Sequence, residues 1–479
     1  MRRVKILAMC VLAFLVGLII TASAVWAVQE YRLTHKEVEK QKAFYDDPRP
    51  IYQGDLSFKK ILPPEIYAKL IYDVEAMKSL WAEVVGFRAP DVVGKIVPEI
   101  KPGKYTYKDK EKYPGFKELM WPELYKRFNP GAPPHVGNFP EIEIVPTRQY
   151  YWALPIAKET KKNIGHTKLD DQGYIIYDTY IAGFPFPRPS GEFKGQQIIY
   201  NWEKNYINGE NALVLTRAKG YTKNFAVDVE GTLQLARIRL HGRVLMEPYG
   251  YFDERARANR EGYAMSMFYL SPRDMYGNVL SINRYTDRDK VDLLLMYINS
   301  LRRIRKMSAT DTQDAVAGQD VIYDDDWGFS QRLSPQNYPY KIELIAEREY
   351  LVPTNDEGGS MYISSQGFEY RNIKFERRPL YVVKLTQLDK NYIYKYRVLY
   401  IDKETFVLYN IENFDQKGRL YRISENSLVF IPEMGLFFYS GEMFRDYIDL
   451  HSNFLKFFIY PAYLGRDAID IPSLIRGVK

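Results

Sequence analysis

The stretch Tyr394–Ile423, YKYRVLYIDKETFVLYNIENFDQKGRLYRI, constrains the fold more than any other. Runs of β-branched and aromatic residues are cut by two polar turns, DKET and DQKG, and Gly418 sits where the second turn needs a positive φ. A chain that reverses this tightly between apolar runs lays them side by side as an antiparallel meander. Upstream, NFAVDVEG sets Phe225, Val227 and Val229 against Ala226, Asp228 and Glu230, the alternation of a half-buried strand. LQLARIRLHGRVLM continues it with a phase change near Ala236 that predicts a bulge. GYAMSMFYL places Tyr263, Met265, Met267 and Tyr269 on one face. The 41 Tyr and 25 Phe suit strands whose wall meets both apolar and wet surroundings.

The first residues read as an export signal. Arg2, Arg3 and Lys5 precede the uncharged run ILAMCVLAFLVGLIITASAVWA, and Ala22, Ala24 and Ala27 close it as cleavage positions, so residues 1–27 are expected to be a signal peptide. A retained anchor helix is the alternative. Cys10 is the only cysteine, so the exported chain would hold no disulfide, thiolate nucleophile or cysteine metal site. That fits the periplasm of a Gram-negative-type envelope. The net charge of +7 includes those three leading cations, and the near-balance that remains does not call for nucleic acid as a partner.

Residues 28–140 are expected to form a helical and loop-rich segment, and 141–479 a β-rich domain. Within the former, Pro64 suits a first helical turn and Gly86 a stop. Between them Ile66, Leu70, Val74, Met77, Leu80 and Val84 recur at helical spacing. Residues 98–140, rich in Pro, Gly and Lys, read as loop with one helix around FKELMWPELYKRF.

In VDLLLMYINSLRRIRKM the apolar run Val291–Tyr297 is strand-sized and far too short to span a bilayer. It delivers Arg302, Arg303 and Arg305 to a sheet edge. YDDDWGF follows closely, and its Asp324, Asp325 and Asp326 are expected either to return over those arginines as a rim of ion pairs or to stay solvated. A metal held by the three aspartates is disfavoured because neighbours on a strand point to opposite faces. The histidines, His35, His135, His166, His241 and His451, show no ligand spacing, and no G-x-S-x-G is present. No catalytic residue, cofactor or metal is therefore assigned.

LLMYINSLRRIRKM, DTQDAVAGQDVIYDDDWGF and the Tyr394–Ile423 meander follow one another as in a known group. They resemble the LolA/LolB superfamily of outer-membrane lipoprotein-sorting proteins. They are more similar still to a secreted family in it, a domain of unknown function. Gly183–Pro189 matches that family's G-x-PFP-x-P stretch, while Asn201-Trp202 inverts its WN. The resemblance covers roughly 165–450. It implies a mainly β (α+β) fold: a large, incomplete antiparallel β-barrel around an apolar cavity, with helices covering or plugging the opening. It also implies a lipid or other hydrophobic small molecule as guest, an envelope exporter or outer-membrane partner, and transient membrane contact.

The expected cavity wall is Phe225, Val227, Val229, Tyr263, Met265, Met267, Val398 and Tyr400; the rival reading is that these residues fill a closed core. FLKFFIYPAYLG, with Phe454, Phe457, Phe458 and Tyr460, is read as core, a lid or a membrane contact. Other classes left open are an outer-membrane β-protein, a scaffold subunit of an export complex and an envelope hydrolase.

Overall fold

Turn chemistry and strand pairing agree closely in the computed structural model, which describes residues 52–476 apart from 132, 134, 309–311, 317–318, 356–360, 365–366 and 371–373. The expected signal peptide and the lead-in up to residue 51 lie outside the described residues.

Two short strands come first, β1 (Gly103–Thr106) and β2 (Glu141–Ile144). A first meander follows: β3 (Asn211–Tyr221), β4 (Val227–Arg239), a small ribbon β5 (His241–Arg243) and β6 (Gly250–Tyr251), then β7 (Glu261–Ser271), β8 (Val279–Tyr285), β9 (Leu293–Ile298) and β10 (Arg303–Met307). After a long crossover come β11 (Tyr340–Pro353), the hairpin β12 (Met361–Ser364) and β13 (Gly367–Tyr370), and β14 (Lys374–Gln387). The second meander is completed by β15 (Tyr396–Asp402), β16 (Leu408–Phe414), β17 (Leu420–Ile431), β18 (Leu436–Asp446) and β19 (Ser452–Pro461). β19 returns to pair β3, which fuses the two meanders into one 15-stranded sheet. β10 ends one edge; β14, carrying β2 and β11, closes the other; the two edges do not pair, so the barrel stays open. Among the described residues the only parallel pairing joins Lys374 and Phe375 of β14 to β2, so the sheet is mixed rather than purely antiparallel.

Pleating assigns the faces. Along β7, Tyr263, Met265, Met267 and Tyr269 belong to the main hydrophobic core on the concave side. The alternating Ser266 donates to the Ala468 carbonyl at 2.6 Å, and Ser281 of β8 to that of Ile469 at 3.1 Å. The segment after β19 therefore covers the outer face of the first meander. The outer face of the second is covered by the N-terminal segment: Trp121 packs on Tyr400 at 5.2 Å, and Arg127 pairs with Glu425. Two covered faces explain why β14 to β18 are buried along most of their length, charged residues included.

The long helix expected from Pro64 onward is two helices, Pro64–Lys69 and Val74–Val85. The break falls where Asp73 caps the second helix, its carboxylate accepting from the Ala76 amide at 2.6 Å, and Gly86 ends it at φ 90° as its position suggested. The helix expected around FKELMWPELYKRF is likewise split, into Phe116–Leu119 and Pro122–Arg127, with Pro122 opening the second. The pairing irregularities of β4 fall at Asp228 and between Thr232 and Leu233, not at Ala236.

Candidate binding site

Of the residues that join the two meanders, those from Asp320 to Leu333 do not skirt the surface. They run through the concave side of the sheet. The Trp327 amide donates to Glu442 Oε2 of β18 at 3.0 Å, and the Asp320 amide to Asn453 Oδ1 of β19 at 3.0 Å. The Leu333 amide donates to Glu203 Oε2 at 2.9 Å, and Trp202 Nε1 to the Phe329 carbonyl at 3.0 Å. Gly328, at φ 82°, has no room for a side chain, because a Cβ there would come within 2.9 Å of Ile411 Cδ1 of β16. The hollow of the open barrel is thus filled by the chain's own crossover.

Asp324 and Asp325 anchor this plug, both with no exposed surface. Asp325 accepts from Arg397 Nη1 at 2.7 Å and from Tyr394 Oη at 2.5 Å. Asp324 accepts from Tyr392 Oη at 2.7 Å, Tyr338 Oη at 2.9 Å and Thr312 Oγ1 at 3.0 Å. A carboxylate survives this deep only because each oxygen has a donor. Burial still pushes Asp324 above the usual carboxylate range, against the pull of Tyr392 and Arg397. These pairings correct the expected rim: Arg302, Arg303 and Arg305 are exposed on the turn into β10 and along it, and the aspartates instead find Arg397 and the tyrosines inside. Arg303 and Arg305 lie on β10, the last strand of the sheet path, and Arg302 in the turn before it. The sequence could not show that Arg397, one of many cations on strands, points inward.

Two cavities remain between the plug and the wall. One is an apolar cleft lined by Leu233, Leu235, Met267, Leu455 and Phe457 of the sheet and faced by Val321 of the crossover. Its free volume is about 40 Å³, room for water-sized molecules but not for an alkyl chain. The other is a polar pocket of about 100 Å³ holding Arg237, Arg284, Tyr263 and Trp327. Asp326 lines both, so the two adjoin. Burial pushes the Asp326 carboxyl up to about 7, opposed by Arg237 and Arg284. His241 also borders the polar pocket, and burial lowers it to about 3, leaving a neutral ring 4.7 Å from that of Tyr251.

The expected wall residues divide three ways. Met267 lines the cleft; Tyr263 lines the polar pocket; Met265 lies on the same face within the core. Val398 and Tyr400 point the other way, since Arg397 between β15's neighbours faces the plug and Tyr400 meets Trp121 of the outer layer. Phe225 sits in the β3–β4 turn at φ 64°, stacked on Tyr221 at 4.7 Å, while Val227 is 51% exposed and Val229 half-buried. These three lie beyond the covered part of the barrel. Leu233, Leu235 and Phe457 were missed as wall residues, and the signal for the first two was their shared phase in LQLARIRL. Among the described residues no group of His, Cys, Asp and Glu is placed to hold a metal.

An uncharacterized protein of Pseudomonas aeruginosa is 23% identical over an alignment of 333 positions that covers 63% of this chain and 66% of the relative, so the chain spans just under two thirds of that relative's length. A solved domain assigned to outer-membrane lipoprotein sorting, from Vibrio parahaemolyticus, shares 14% identity over 59% of this chain and 99% of its own, with a TM-score of 0.42. A protein of the DUF1329 family from Desulfovibrio piger shares 13% over 55% of this chain and 91% of its own, with a TM-score of 0.39. The family model described as "Protein of unknown function (DUF1329)" matches residues 126–458, a span that takes in both meanders, the crossover and both cavities. The chain belongs to the DUF1329 family.

Proposed function

We propose that this protein binds a lipid or other hydrophobic molecule, without covalent chemistry, on the concave face of its open barrel. The observation that carries the reading is the apolar cleft itself: sheet residues Leu235, Met267 and Phe457 are sealed by a crossover segment rather than by a neighbouring strand. A segment held through side-chain anchors can move off without unpairing the sheet. The guest then takes the place of the crossover against the wall, and apolar area hidden by the plug is hidden again by the guest. Binding and release balance closely in such an exchange, which suits a carrier that hands its load on. Direction comes from a difference in affinity between states or from a partner in the envelope, because a guest shifts an equilibrium only by its differential affinity. A periplasmic setting, reached through the signal at 1–27, and an exporter as that partner complete the proposal.

An integral outer-membrane barrel is supported less well, since both faces of the sheet are covered by other parts of the chain. The outer face carries buried ion pairs where lipid would lie, among them Arg445 with Glu425 at 2.6 Å.

The test is mild purification from envelopes, solvent extraction and mass spectrometry. The wild-type chain yields one lipid-class molecule per protein, and Met267→Asp, at equal export, yields none. Equal loading of the two would remove the cleft from the wall.

A further inference from the structure

Arg237 stands apart from the other cations of the polar pocket. Arg239 donates to the carbonyls of Lys204 and Asn205. Arg332 is bound to Asp292 at 2.7 Å and to the Asp287 carbonyl at 2.9 Å. Arg284 reaches Ser330 Oγ at 3.4 Å and Asp292 at 4.0 Å. Arg237, by contrast, makes no hydrogen bond or ion pair among the described residues. Its guanidinium lies over two rings, 4.7 Å from the centroid of Tyr263 and 4.6 Å from that of Trp327. Ring faces attract the charge but accept no N–H in the manner of a carboxylate or phosphate. Burial opposes its charge and lowers its pKa. A half-buried guanidinium with five donors and no protein acceptor leaves those donors open to an acceptor that enters the pocket.

The pocket around it is cationic. Lys204, Arg237, Arg239, Arg284 and Arg332 line it against only Glu203 and Asp326. Glu203 is already engaged by Lys204 at 2.7 Å and by the Leu333 amide. Asp326, the carboxylate common to both cavities, has burial pushing it toward the protonated form, so it offers Arg237 little competing charge. The apolar cleft opens directly beyond it.

We propose that the guest is an amphiphile with an anionic head: a carboxylate or phosphate accepts from Arg237 in the polar pocket, and its alkyl tail lies along Leu235, Met267 and Phe457. This deepens the proposed function and rests on it. Specificity then comes from two physically different walls. Leu235 and Arg237 sit two residues apart on β4 and so face the same side, which puts head and tail sites on one strand. The tail enters as Val321 and its neighbours back away from the wall, and the head is fixed by a bidentate, charge-assisted contact.

The experiment measures binding of dodecanoate, dodecyl phosphate, dodecanol and inorganic phosphate to the full chain by calorimetry. It is repeated with Arg237→Met and Leu235→Asp. The wild type binds the two anionic amphiphiles at least tenfold more tightly than dodecanol and binds inorganic phosphate only weakly. Arg237→Met loses that preference while keeping its affinity for dodecanol, which also shows that it is folded. Leu235→Asp weakens every alkyl probe by tenfold or more. Equal wild-type affinity for dodecanoate and dodecanol, or an unchanged preference in Arg237→Met, overturns the head site and leaves the apolar guest standing. Inorganic phosphate bound as tightly as dodecyl phosphate overturns the amphiphile in favour of a free anion. Failure to bind any alkyl probe removes the proposed function, and the head site with it.

Discussion

Arg378→Met lowers the stability of the chain by about 3–5 kcal/mol, the cost of leaving buried charge without its partner. Arg378 has no exposed surface and holds two carboxylates at once: Asp402 at 2.7 and 3.2 Å, and Glu404 at 2.7 Å. It also donates to the Arg148 carbonyl at 2.6 Å. Glu404 in turn accepts from the amides of Ala89 at 2.8 Å and Tyr150 at 2.9 Å. Burial already pushes Glu404 up to about 7, with Arg378 the main force holding it down. Removing the guanidinium strands both carboxylates and loosens the tie between the N-terminal segment and the β15–β16 turn. Urea unfolding measures the loss. Arg305→Met, on the exposed edge strand, serves as the control and shifts stability by less than about 0.5 kcal/mol.

Asp325→Ala is the second large effect, also about 3–5 kcal/mol, because it leaves Arg397 charged and enclosed. Its consequence differs in place. The crossover is released from β15, so limited proteolysis cuts between Met307 and Tyr340 while the two meanders persist. Replacing both partners with apolar residues of similar size, Asp325→Leu with Arg397→Met, recovers most of the stability, since an apolar pair carries no desolvation cost. A double variant no better than Asp325→Ala alone would show that the tyrosine contacts of Asp325, and not the ion pair, hold the plug.

The second meander was legible because its strands and turns are local: DKET and DQKG fixed the hairpins, and Gly418 adopts φ 79° as its turn requires. In the run from Leu293 to Met307 the first strand, Leu293–Ile298, was legible from its apolar residues, whereas the turn at Asn299–Leu301 and the second strand carrying Arg303 and Arg305 were not read. The face of β15 was not. Its residues Val398, Leu399, Tyr400 and Ile401 are all buried, so alternation gives no phase to read. The destination of Asp324 and Asp325 was hidden for another reason. Three consecutive aspartates are usually solvated, and only the placement of Tyr392, Tyr394 and Arg397, about 70 residues away in the chain, makes their burial affordable. The setting of Arg237 likewise depends on a distant residue, Trp327 of the crossover, whose ring lies 4.6 Å from its guanidinium.

Whether the crossover gives way to a guest over the apolar cleft is read directly by amide hydrogen exchange. The full chain is compared with and without saturating dodecanol, following the amides of Asp320 and Trp327. In the free protein Asp320 is held by Asn453 and Trp327 by Glu442. Bound dodecanol is expected to speed exchange at Asp320, next to Val321 over the cleft, while Trp327, which stays over Arg237, and the amides paired within β15, β16 and β17 keep their protection. Dodecanol bound at full occupancy with the Asp320 amide as protected as before would contradict it.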